Sequence, residues 1–177
     1  NTIQQMRMCQ AFQRTGTDVH FLHPSYGDLR KKLHWRDVAD YYGLDTRFDI
    51  QTIPSLQGIQ PLNPKVKLAS MIGPTVAWLV KQTLTGKITN SDIIYGRNYY
   101  PLFFYNEFRK RLPERMCPTV IFEHHDTLTA RWQSRFFDSI DGIVTITHAL
   151  ARHDQQTYGI SNDRCHIAPD GVDLDPY

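Results

Sequence analysis

The segment Phe122-Glu123-His124-His125-Asp126 sets two adjacent histidines between two carboxylates. Imidazole titrates near neutral pH and is tuned by a neighbouring carboxylate. The segment therefore suits proton transfer, or hydrogen bonding to a polar substrate. If it is extended, neighbouring residues point to opposite faces, and at most one of His124 and His125 enters a given cleft. A solvated or structural role competes with this reading. Arg97-Asn98 is a second candidate, because a guanidinium fork recognises phosphate or carboxylate and an amide can hydrogen-bond a sugar hydroxyl. Its competitor is an arginine paired on the surface. Thr147-His148 and Asp170-Gly171 complete the set. A metal site fits poorly, since His20/His23 and His148/His153 lack the i, i+4 spacing of a helical zinc pair.

These positions share one property: each directly follows an expected strand. Helices are expected over Thr2–Arg14 (with Gly16 as its stop), 34–42 (ending at Gly43), 69–84, 99–108, 128–139 and 148–158. Gly73-Pro74 is expected to kink the third of these or to reset its start. Thr147 is the expected N-cap of the last helix and Gly159 its stop. Strands are expected over 19–22, 47–53, 92–95, 119–123, 142–146 and 166–168. Alternating strands and helices with short connections indicate an α/β fold, a Rossmann-like parallel sheet with helices on both faces. In such sheets ligands lie outside the carboxyl ends of the strands, where the candidates above fall.

The composition is that of an ordinary soluble domain, with 177 residues, 41% hydrophobic and 21% charged. The 12% aromatic content and mixed charges argue against disorder. No apolar run reaches the roughly 18–20 residues of a membrane span, and Asn1 to Gln10 does not read as a signal segment. Twenty Lys+Arg against eighteen Asp+Glu give a net charge of +2, too little for a nucleic-acid surface. Cys9, Cys117 and Cys165 are few, odd in number and widely spaced. That fits a reducing, cytoplasmic setting rather than a disulfide framework. The ten glycines never form GxG, so neither a dinucleotide fingerprint nor a P-loop is present, and GxSxG is absent too. Arg109-Lys110-Arg111 and Arg115 read first as a solvated helix end and second as a peripheral membrane contact. Helical spacing assigns most of Tyr99, Tyr100, Phe103, Phe104 and Tyr105 to a core rather than to sugar stacking.

Five segments carry a resemblance. Ile167-Ala168-Pro169-Asp170-Gly171-Val172-Asp173 resembles the I-x-P-[ND]-G-V-D signature that closes the N-terminal domain of group 1 (GT-B fold, retaining) glycosyltransferases. The stretch Asp141–His153 is similar to that family's strand and following helix upstream of the signature. Thr119–Asp126 resembles the strand ending in the family's active-site histidine, and Asp92–Asn98 the segment D-h-h-Y-x-R. The opening residues 3–24 resemble the first helix and second strand. The resemblance covers most of the chain in order and is weakest over 25–84.

The resemblance implies two Rossmann-like domains facing across a cleft, the N-terminal one mainly binding acceptor and the other a nucleotide-sugar donor. It implies no metal and no further cofactor; arginine, lysine and helix N-termini stabilise the departing diphosphate. His125 corresponds to the active-site histidine through the register E-x-H-D. Arg97, Asn98, His124, Asp126, Thr147, Asp170 and Gly171 would line or border the same cleft. The acceptor is a sugar or a lipid-linked molecule, and the location cytoplasmic, with peripheral membrane contact allowed. On this reading the chain is one acceptor-side domain lacking its first strand, its Gly-rich loop and the donor domain with its paired glutamates. The 177 residues alone are then expected to be inactive. A non-catalytic glycan- or partner-binding module and a sugar-nucleotide epimerase of the same architecture are the alternatives.

Overall fold

The computed structural model describes residues 2–25, 35–56, 63–125 and 133–169. The chain divides into two compact units, Asn1–Thr75 and Val76–Tyr177, with the boundary inside one helix.

The first unit opens with α1 (Thr2–Arg14), followed by β1 (His20–Pro24), α2 (Trp35–Tyr42) and β2 (Asp49–Ile53). The two strands pair in parallel, from His20 opposite Asp49 to Pro24 opposite Ile53. Met6 and Cys9 of α1 meet Val38 of α2, with Leu44 and Phe48 from the connection, in one apolar cluster. Met6 and Cys9 stand three residues apart on one face of α1 and are buried, whereas Ile3 and Phe12 are exposed. Gly16 and Gly43 adopt φ of +87° and +60° after α1 and α2, the left-handed turn that glycine takes without strain. The Gln10 amide oxygen accepts the Asp45 backbone N–H at 2.8 Å, tying α1 to the connection before β2.

Helix α3 runs from Pro64 through Pro74 to Leu84. It therefore starts five residues before the expected Ala69 and is neither reset nor ended at Gly73-Pro74. Pro64 stands at its first position, where a missing N–H costs nothing and the fixed φ favours a helix.

The second unit continues with β3 (Ile93–Gly96), α4 (Tyr99–Arg109), β4 (Thr119–His124), α5 (Gln133–Phe137), β5 (Gly142–Thr145), α6 (His148–Tyr158) and β6 (Cys165–Ile167). The four strands lie in the order β3-β4-β5-β6, all parallel. This is the Rossmann-like α/β arrangement that the alternating pattern implies. Of the expected helix 128–139, the described part is α5.

Strand β4 has neighbours on both sides, and Val120 and Phe122 are 0% and 2% exposed. Phe122 packs edge-on against Phe136 of α5, which in turn meets Tyr99 of α4. Burying each such ring contributes about 1.5–3 kcal/mol. The Tyr105 hydroxyl, inside this core, hydrogen-bonds the Thr83 hydroxyl at 2.8 Å, which removes the cost of burying both. Tyr99, Phe103 and Tyr105 are thus core residues as their spacing implies, and Phe104 is exposed.

At the amino ends of the strands, charges serve structure. The Arg109 guanidinium donates to Asp141 and to the carbonyls of Pro118 and Ser139, while Asp141 accepts the Val120 N–H. Arg109 is therefore a nearly buried clamp and not part of a solvated helix end. Glu107 receives Lys110 and Arg135. The three cysteines are free thiols, with Cys9 buried. No helix among the described residues is long and apolar enough to cross a membrane.

Candidate functional site

The carboxyl ends of β3 and β4 lie side by side because the two strands are parallel and in register, Tyr95 opposite Ile121 and Gly96 opposite Phe122. One step further along this register sets Arg97 beside Glu123. Side chains two apart share a face, so Tyr95 and Arg97 on one strand meet Glu123 and His125 on the other.

The Glu123 carboxylate is the centre of this group. Its Oε1 accepts from Arg97 Nη2 at 2.5 Å and lies 2.7 Å from His125 Nε2. Its Oε2 accepts from the Tyr95 hydroxyl at 2.7 Å. The Glu123 side chain is 5% exposed, Arg97 14% and His125 25%, so accessibility rises toward the imidazole. Burial pushes the Glu123 carboxyl up. The hydrogen bonds from Arg97, Tyr95 and His125, together with the Arg97 charge, outweigh this and hold it below the usual carboxylate value. An ionised carboxylate among three donors is the result.

The next residue, His124, faces the other way. Its ring packs against Phe122 and Phe137, and Nδ1 shares a 2.7 Å hydrogen bond with Asp154 Oδ2 of α6, the two side chains being 1% and 0% exposed. Strand alternation thus separates the two histidines. His125 reaches the partly open end of the sheet and His124 anchors β4 to α6. The expectation that His124 borders a substrate cleft is corrected: its ring lies in the core.

The model of Glycosyltransferase Family 4 matches residues 5–176. The chain belongs to glycosyltransferase family 4. No curated protein matches it. The match agrees with the resemblance to the N-terminal domain of group 1 glycosyltransferases carried by the five segments.

In this family 4 domain, two more of the sequence candidates serve as helix caps. Asn98 Oδ1 accepts the Tyr100 N–H at 3.2 Å at the start of α4. Thr147 Oγ1 accepts the Leu150 N–H at 3.1 Å at the start of α6. Both occupy the carboxyl end of the sheet, but these oxygens are engaged by backbone. Asp126, Asp170 and Gly171 lie outside the described residues. Among the described residues no cluster of three metal-ligating side chains occurs.

Sequence reasoning noticed Glu123 only as a flanking carboxylate, and it passed over Tyr95 and Asp154. The signal for the first two was present as Tyr95-x-Arg97 and Glu123-x-His125, two same-face pairs at the ends of consecutive expected strands. For Asp154, thirty residues from His124, the local sequence offered none.

Proposed function

We propose that this chain is the acceptor-side domain of an enzyme that transfers a sugar from a nucleotide-sugar donor to a hydroxyl acceptor, with retention of configuration. The single observation that supports the reading best is that a family 4 chain carries an accessible histidine, His125, braced by a buried carboxylate at the carboxyl end of its parallel sheet. In the reaction the bond from the anomeric carbon to the diphosphate oxygen breaks and a bond to the acceptor oxygen forms. The acceptor proton passes to the oxygen of the departing diphosphate. His125 hydrogen-bonds the donor sugar as positive charge develops on its ring. The Arg97 charge is matched by Glu123, so the two together present a polar, nearly neutral wall. Countering the diphosphate falls to a separate donor-binding domain, through basic side chains and helix N-termini, with no metal. The acceptor is a sugar or a lipid-linked molecule, and the enzyme works in the cytoplasm.

The test is release of nucleoside diphosphate from a panel of nucleotide sugars, comparing the full-length protein with the 177-residue chain alone. Turnover by the first and none by the second is expected. Turnover by neither, or by the isolated chain, would overturn the reading.

A further inference from the structure

We propose that Asp154 is a positioning residue: through His124 it fixes the end of β4, and with it the point from which His125 projects into the site. This rests on the proposed role of His125. Stability does not account for the pair. His124 Nδ1 and Asp154 Oδ2 share one hydrogen bond at 2.7 Å, between side chains 1% and 0% exposed. His124 Nε2 and Asp154 Oδ1 are left without hydrogen-bond partners among the described residues. One bond does not offset two buried polar atoms without partners, and apolar side chains of similar volume would hold β4 against α6 at least as firmly. What an apolar pair lacks is direction. Hydrophobic contact tolerates many arrangements, whereas a hydrogen bond of this length fixes both distance and angle.

The place of the bond in the fold gives that direction a use. His124 is the last residue of β4 and stands opposite Thr145 of β5. Toward β3 the paired register ends two residues earlier, at Gly96 opposite Phe122. The main-chain ladder therefore holds the strand end from the β5 side, and the His124 side chain adds a second anchor by reaching α6. Asp154 lies on the buried face of that helix with Leu150 and Ala151. Consecutive Cα atoms are about 3.8 Å apart across a planar peptide, so a slide or rotation of His124 passes directly to His125. The effect reaches His125 through its main chain and is independent of the contacts its ring makes. A misplacement of about 1 Å costs about 10²-fold in rate, so about half that displacement costs about tenfold.

The experiment uses the full-length protein labelled with ¹⁵N, in three forms: wild type, His124→Phe with Asp154→Leu, and Asp154→Asn. The double substitution keeps the space filled and removes both polar groups together, while the amide oxygen of Asp154→Asn still accepts from His124 Nδ1. In the wild type a downfield, slowly exchanging Nδ1 proton on His124 is expected. The double variant should keep its urea midpoint within about 0.75 M of wild type. Its main-chain amide exchange over residues 122–125 should nevertheless quicken about tenfold, and kcat should fall about tenfold with KM for the donor little changed. Asp154→Asn should keep exchange and kcat within about threefold of wild type.

A stable double variant with wild-type exchange and kcat would overturn the proposal and leave the pair a packing element. So would a wild-type His124 without a hydrogen-bonded Nδ1 proton, or Asp154→Asn as slow as the double variant. A wild type that shows the protected proton yet turns over no nucleotide sugar would overturn the transferase reading. The exchange rates would then decide by themselves whether Asp154 holds the end of β4.

Discussion

Replacing Asp154 by alanine removes the carboxylate that meets His124 Nδ1 at 2.7 Å. At 1% and 0% exposure, the pair leaves no path for water to substitute for the lost partner. His124 Nε2 already has no hydrogen-bond partner among the described residues, so the variant ring is left with both nitrogens unsatisfied in an aromatic pocket formed with Phe122 and Phe137. An exposed hydrogen bond lost in this way would cost about 1 kcal/mol, whereas deleting one member of a buried pair costs about 3–5 kcal/mol. Burial selects the larger figure. With a urea m-value of about 2 kcal/mol/M, the unfolding midpoint should fall by about 1.5–2.5 M at unchanged m. The companion variant, His124→Phe with Asp154→Leu, replaces the polar pair by apolar groups of similar volume and should lie within about 1.5 kcal/mol of wild type. A midpoint for Asp154→Ala within about 0.3 M of wild type would refute the reasoning. So would a double variant as unstable as the single one.

Two further outcomes follow from the same contacts. Glu123 has a folded-state pKa below its ordinary 4.5, so it contributes stability that is fully present above about pH 4.5 and is lost as pH falls through the folded value. The gap in urea midpoint between wild type and Glu123→Gln should accordingly be wider at pH 7 than at pH 3.5; a gap independent of pH would exclude the ionised carboxylate as the source. Thr147→Ala removes the N-cap of α6 and should cost about 1 kcal/mol in unfolding free energy. KM for the sugar donor should stay unchanged, and a large rise in KM would show that the hydroxyl contacts substrate instead.

How far the sequence foretold this arrangement depends on the range of the interactions. Helices α1 and α6 have the expected limits because their signals are local: Thr147 caps one, and Gly16 and Gly159 take positive φ after the two helices. The start of α3 escaped notice because a proline reads equally as a breaker or as a first helical residue. Only the packing that follows decides between them. Strand alternation alone was enough to say that His124 and His125 diverge, but not which one enters the core. That choice belongs to Asp154, on an element formed later in the chain. Glu123 became the centre of the site through the register of β3 against β4, and no local pattern encodes that pairing. Asn98 was read only as a polar group near a ligand, and Thr147 both as such a group and as the N-cap of α6, which it is. Short polar residues after strands also start helices, and here the backbone N–H groups claim both side-chain oxygens.

The most direct test of the central claim is kcat for nucleotide-sugar turnover by the full-length protein carrying His125→Ala, with the circular dichroism spectrum and urea midpoint measured alongside. A loss on the order of 10²-fold in kcat with an unchanged fold is the predicted result. A His125→Ala protein that turns over at the wild-type rate would contradict the assignment of the site.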